Sequence, residues 1–484
     1  MNKKMIGRML GYLLLLEAVF LIPALGISVY YAERNAVYGL MLSMLVLLAL
    51  GSVLVLATRK ATRSMYAKEG FLIVALAWCV MSVLGSFPFF FSGEIPHFVD
   101  AVFETVSGFT TTGSSVLTDV ESMSRGLLYW RSFTQWLGGM GMLVFLLLIV
   151  KNNKGKGNSL HLIRAESPGP SISKIVPKTR QMAAILYGIY FVLTASLFVL
   201  LLFGGMSPFE SVCHAFATAG TGGFGVRNDS LASYSPYIQN VISVYMALFG
   251  VNFSVYYLLL IKQVKSVLKN EELRLYLGIM FGAIVLICIN VAAMFETGEA
   301  LVRHVTFSVI SVMTTTGFAT TDFNLWPEFS RTILVILMIL GASASSTGGG
   351  LKSIRVLILF KNLKNVVHKM LHPHSVKRIK VDGKTVEEPL IQGVNTYTVI
   401  YFALIFLSVL LISVDNFSME TNLTAVLSSF NNIGPGLGDV GPTGNFSAFS
   451  SFSKVILCFD MLFGRLEIFP MLILLNPDTW KKKI

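Results

Sequence analysis

Charge is scarce in this sequence. Asp, Glu, Lys and Arg make up 13% of 484 residues, against 54% hydrophobic, about half the charged share of a soluble domain. A water-exposed globular chain is excluded on that ground. Cysteine is scarce as well. Cys79, Cys213, Cys288 and Cys458 stand far apart in or near apolar segments, without CxxC or Cys/His spacing, so neither a disulfide framework nor a metal site is indicated. No nucleophile, base and orienting residue converge, which leaves an enzyme reading without support. Acidic residues are the scarcer sign, 26 against 38 basic, for a net charge of +12. What that surplus means depends on where it lies.

Long apolar runs are plentiful, and several reach the roughly 20 residues that cross a bilayer. Ten crossings are expected, at 10–30, 37–57, 71–91, 130–150, 183–203, 238–261, 276–295, 331–360, 396–414 and 452–475. The N-terminal run lacks a small-residue cleavage site, so it reads as a retained span. With both termini cytoplasmic, only Arg34, Arg125, Arg131, Arg227, Arg303, Arg331 and Lys454 fall outside, and Arg465 lies mid-span. The other Lys and Arg lie inside or at the inner edge, as the positive-inside rule requires. The surplus is topological, and a nucleic-acid partner is not expected.

Between crossings lie four stretches ending in glycine: Thr110-Thr111-Thr112-Gly113, Ala219-Gly220-Thr221-Gly222, Thr314-Thr315-Thr316-Gly317 and Asn431-Asn432-Ile433-Gly434. They recur at intervals of roughly a hundred residues. Each follows a mixed apolar segment too short to cross, such as 96–107 or the one opened by Ser207-Pro208-Phe209-Glu210. One such tetrapeptide is ordinary loop material, but four at domain-like spacing form an internal repeat. Non-helical backbone at membrane depth is tolerated only when buried in protein or lining a watery cavity. Threonine offers a carbonyl and a hydroxyl, glycine opens dihedrals closed to other residues, and hard oxygens around an axis can replace a cation's hydration shell. The half-helices would add the partial negative charge of their C-terminal ends. The expected fold is an all-α polytopic membrane protein: two N-terminal spans, then four span–pore-loop–span units around one central pore. Ala219-Gly220 and Asn431-Asn432-Ile433 make the symmetry only approximate.

The last span of the third unit is interrupted by Gly341-Ala342-Ser343-Ala344-Ser345-Ser346-Thr347-Gly348-Gly349-Gly350. Gly/Ser pairs kink helices, so a packed kink is one reading. A gating loop beneath the filter, carried by Gly341, Ser343, Ser345, Thr347, Gly348, Gly349 and Gly350, is the other. Leu351 separates Gly350 from Lys352, which excludes a Walker A motif. Gly436 to Gly441 spells GxGxxG but has no strand before it and Pro442 after it, so no dinucleotide site follows. Arg465 mid-span costs at least about 2.5–3.5 kcal/mol on insertion scales. It either pairs with Asp460 or Glu467 or opposes cations beneath the filter. The mid-membrane ionisable groups otherwise number almost none.

These motifs resemble the Trk/Ktr/HKT superfamily of potassium transporters, in particular the bacterial TrkH/TrkG-type membrane subunit, over almost the whole chain. The resemblance implies units at 1–70 (peripheral helices), 71–150, 151–261, 262–360 and 361–484. It implies potassium uptake across the bacterial inner membrane through a gated channel-like path. Gly113, Gly222, Gly317 and Gly434 match the potassium pattern, and the K+ oxygens carry over to Thr111, Thr112, Gly220, Thr221, Thr315, Thr316, Asn432 and Ile433. A homodimer is implied, as is a cytoplasmic TrkA-type nucleotide-binding ring docking on basic segments at 151–180 and 361–384, with no nucleotide on this chain. The alternative is a symporter coupled to H+ or Na+, which needs an in-membrane carboxylate.

Overall fold

A backbone in hydrocarbon must satisfy every N–H and C=O internally, and a helix does so within one segment. The computed structural model describes residues 2–59, 67–141, 179–375 and 378–481. Six helices there are long and apolar enough to cross a membrane: Lys3–Tyr30, Arg34–Ala57, Lys68–Phe91, Ala183–Phe203, Glu271–Met294 and Glu388–Asp415. The first two are the N-terminal pair. The other four each lead into one of the glycine-ended loops. The chain is a helical, multi-pass membrane protein. Among the described residues the only sheet is a small antiparallel hairpin, Lys380–Val381 with Lys384–Thr385.

After each of those four spans comes a short helix that stops: Phe98–Phe109, Pro208–Gly220, Gly298–Met313 and Met419–Phe430. The second starts as its sequence dictates. Ser207 accepts from the Glu210 N–H, Glu210 reaches back, and Pro208 occupies the first turn, a capping box with a pre-set φ. Thr297 and Ser418 cap the third and fourth.

The return segments differ from expectation. Of the ten expected crossings only the third return carries an expected interruption; the second, third and fourth returns break, and the helix of the first ends at Gly141. Arg125–Met140 stops at Gly141 (φ 81°), and 142–150 lie outside the described residues, as does the basic linker at 151–178. Pro236–Phe249 and Phe253–Leu260 bend by 89°. Glu328–Leu340 stops at Gly341 and helix resumes at Ser353–Leu371. Ser451–Arg465 stops before Phe469–Leu475. Gly141 and Gly341, both of positive φ, permit the stops in the first and third returns. In the fourth, Glu467 (φ 54°) and Ile468 (φ 67°) are left-handed, a strained state for a β-branched residue. The Arg355–Glu467 ion pair holds this break.

Two apolar cores flank the centre. One joins the N-terminal helices to the first and fourth units; the other joins the second and third. The four loops lie where they meet.

Candidate functional site

All four loops share one backbone signature. Thr111, Thr221, Thr315 and Asn432 are left-handed, with φ of 57°, 53°, 59° and 55°. Their N–H groups reach back three residues, to Gly108, Thr218, Val312 and Ser429. The next N–H reaches back five: Thr112 to Ser107 (2.8 Å), Gly222 to Ala217 (2.8 Å), Thr316 to Ser311 (2.9 Å) and Ile433 to Ser428 (2.9 Å). These bonds satisfy carbonyls that a helix C-terminus leaves open. A glycine of positive φ follows each: Gly113 (85°), Gly223 (75°), Gly317 (84°) and Gly434 (105°).

This corrects the second loop by one residue. Gly223, not Gly222, is equivalent to the other three glycines. Gly222 aligns with Thr112, and Gly220 with Thr110. Spacing cannot choose between consecutive glycines; the backbone does, because only Gly223 has positive φ.

The loops close into a ring. A Cβ on Gly113 would collide with the Gly222 carbonyl oxygen, on Gly223 with that of Thr316, and on Gly317 with that of Ile433. On Gly434 it would lie 2.9 Å from that of Thr112. First touches second, second third, third fourth, and fourth first. The chain leaving each loop repeats the cycle. Asn228 Nδ2 donates to Asp119 (2.8 Å), Leu231 N to Ala319 O (3.0 Å), Asn324 Nδ2 to Gly438 O (3.1 Å), and Phe446 N to Ser115 O (2.8 Å). The Asn228 amide also holds the Asp119 carboxyl below its ordinary range.

Buried polar side chains brace this ring, and most were not legible as site residues. Glu104 accepts from Arg131 Nε (2.6 Å), Ser115 Oγ (3.0 Å) and Val116 N (3.0 Å). Arg131 also donates to Gly225 O (3.0 Å) and lies 3.5 Å from the Phe224 ring centroid. Glu104 is 1% and Arg131 3% exposed. Glu17, Lys352, Arg355, Asp460 and Glu467 are buried too. The expectation that ionisable groups inside the membrane nearly end at Arg465 is therefore corrected. Scarcity of charge in the whole chain hides how many of its charged groups are buried.

Beneath the ring lies the segment from Gly341 to Gly350. Gly349 N donates to Thr315 Oγ1 (2.6 Å), and a Cβ on Gly348 would lie 2.7 Å from Thr314 O. Ser343 N donates to Gly250 O (3.1 Å), Phe253 N to Ser345 O (3.0 Å), and Thr347 Oγ1 to Phe249 O (3.2 Å). Gly341 and Gly350 have positive φ and meet at close range. Glu272, in the first turn of its helix, accepts from Ala344 N (2.6 Å) and Asn252 Nδ2 (3.2 Å); from sequence it reads as a helix-start acid. Arg465 donates to Thr347 O (2.8 Å), Gly139 O (2.8 Å), Gly138 O and Thr111 Oγ1 (3.3 Å). It joins this segment to the first loop. Glu467 pairs with Arg355, and Asp460 accepts from Ser408 (2.6 Å).

Residues 39–482 match the family model described as TrkH, Cation transport protein. The chain belongs to the TrkH family. Among its relatives, the Trk system potassium uptake protein TrkH of Escherichia coli K12 is 35% identical over 100% of both chains. The Trk system potassium uptake protein TrkG of the same strain is 29% identical over 99% of both. The crystal structure of the potassium transporter TrkH from Vibrio parahaemolyticus superposes with a TM-score of 0.88 at 29% identity, covering 99% of this TrkH-family chain and 100% of that one.

Proposed function

We propose that this chain takes up potassium through a gated, channel-like path whose filter is the ring of four loops. The observation that carries this reading is the closed contact cycle among the carbonyls of Thr112, Gly222, Thr316 and Ile433 and the following glycines. Main-chain oxygens held around an axis can replace a hydration shell without a fixed carboxylate. The second carbonyl layer is that of Thr111, Thr221, Thr315 and Asn432. The names of the relatives, potassium uptake proteins, agree with this cargo. In this reading the chain lies in the bacterial inner membrane with both termini cytoplasmic and works as a homodimer. Basic cytoplasmic segments dock a TrkA-type nucleotide-binding ring.

The test is flux of K+, Rb+ and Na+ into liposomes. The native chain should prefer K+ and Rb+ over Na+, and Gly113→Ser should lose most of that preference, because its Cβ would collide with the Gly222 carbonyl. An unchanged ion order in Gly113→Ser removes the filter assignment. A second reading, an ion-coupled symporter, draws on Glu17 and Asp460. Both are buried, and among the described residues both oxygens of Glu17 and one of Asp460 have no hydrogen-bond partner. Repeating the assay with and without an imposed proton or sodium gradient separates the two, since only a symporter accumulates K+ against its own gradient.

The segment from Gly341 to Gly350 and Arg465 are the gate in this scheme. Deleting the segment, or Arg465→Ala, should raise the initial K+ flux severalfold, because each removes material or positive charge from under the ring. Equal or lower flux in a chain that elutes as a single species would make the segment a packed kink and Arg465 a structural brace.

A further inference from the structure

The second loop is the weak quarter of the ring. In the first and third loops two threonine hydroxyls bond each other across the left-handed turn, Thr110 to Thr112 and Thr314 to Thr316, both at 2.8 Å. In the fourth, Asn431 accepts from Tyr401 (2.8 Å) and Asn432 donates to Thr112 Oγ1 (2.9 Å). The second loop has glycine at both corresponding positions, Gly220 and Gly222, and again at Gly223. With no side chain at those positions it lacks the hydroxyl pair, and its own side-chain bond reaches only the adjacent residue, Thr221 Oγ1 to Gly220 O (2.6 Å); consecutive glycines also carry the largest backbone entropy.

Gln135 fills that vacancy from outside. It stands on Arg125–Met140, the helix that follows the first loop, and is 0% exposed. Its Nε2 donates to the Gly222 carbonyl at 2.6 Å, and its Oε1 accepts from Phe224 N at 3.1 Å. The amide therefore straddles Gly223, bonding the residue on either side. A Cβ on Gly222 would collide with the Gln135 carboxamide carbon and lie 2.6 Å from its nitrogen. The carboxamide occupies the volume that a threonine at 222 would take.

We propose that Gln135 is a positioning residue for ion selectivity, standing in for the threonine pair that the second loop lacks. The proposal rests on the filter reading above. A carbonyl oxygen has two lone pairs. Gln135 engages one, fixes the direction of the Gly222 carbonyl, and leaves the other for a cation. Its own amide never needs to touch the ion. Because the amide is neutral, it sets geometry without adding charge beside a site that must release what it binds.

The experiment is K+, Rb+ and Na+ flux in liposomes for the full chain, comparing native, Gln135→Met, Gln135→Ala, Gly222→Thr and the double variant Gln135→Ala/Gly222→Thr. Gln135→Met keeps the volume and removes both hydrogen bonds. It should lower the K+ over Na+ preference by about tenfold, the scale of two neutral hydrogen bonds, while total cation flux persists. Gly222→Thr alone should lose selective flux, because its side chain meets the carboxamide. The double variant should recover the flux that Gly222→Thr loses, since the space is then free and φ at 222 is not in the left-handed region, while its K+ over Na+ preference stays below native, because Gly220 offers no hydroxyl to complete the pair. Native selectivity in Gln135→Met, or a double variant no better than Gly222→Thr alone, overturns the proposal. If the native chain itself shows no preference for K+ over Na+, the filter reading fails first, which keeps the two failures apart.

Discussion

Gly223→Ala is expected to cut K+ flux at least about a hundredfold in a chain that still assembles. Two costs combine. The residue is left-handed at φ 75°, a state that costs an L side chain roughly 1–2 kcal/mol. The added Cβ would also collide with the Thr316 carbonyl oxygen and crowd Gly317, so the second and third loops must separate. Displacements of about 1 Å in a preorganised site cost on the order of a hundredfold. Gly205→Ala is the control. Its φ is 85°, but nothing lies within 4 Å of its added Cβ, so it bears the strain without touching the ring and should keep near-native flux. Losing Gln135 should not rescue Gly223→Ala, whereas it should rescue a side chain at 222. Native flux in Gly223→Ala would mean that the second loop does not belong to the permeation path.

Glu104→Gln should destabilise the fold by about 3–5 kcal/mol, the cost of leaving a buried charge without its partner. Arg131 keeps its place among Glu104, Gly225 and the Phe224 ring, and an amide cannot neutralise it. Against a total stability of roughly 5–15 kcal/mol, that loss should appear as a large drop in the temperature at which the detergent-solubilised protein loses its monodisperse peak. Glu104→Gln/Arg131→Met removes both charges and should recover a substantial part of it. If Glu104→Gln melts with the native chain, the pair is not what holds the first loop's exit against the second's.

Much of this architecture follows from pattern. The entry spans are legible because hydrocarbon demands long apolar helices, and the second short helix because Ser207-Pro208-Phe209-Glu210 is a local start signal. The third break is legible because ten small residues in a row cannot make a comfortable helix. The other breaks carry weaker local signals. Gly138, Gly139 and Gly141 resemble small residues that merely let helices pack, and Glu467–Ile468 breaks without any glycine, held by Arg355 from more than a hundred positions away. Gln135 carries no signal, since its importance comes from what Gly220 and Gly222 lack.

By itself, then, the sequence determined the helical membrane class, the four repeats, the two N-terminal spans and the residues from which a ring could be built. Those features depend on local composition and periodicity, which the bilayer turns into structure without reference to distant partners. Only the tertiary structure decided that the loops close in cyclic order, that Gly223 rather than Gly222 is the second loop's turning residue, and that the second and fourth return helices break as the third does. Each of these is settled by contacts between carbonyls, glycines and buried charges from different quarters of the chain, and no spacing along one strand of sequence encodes which carbonyl will meet which glycine.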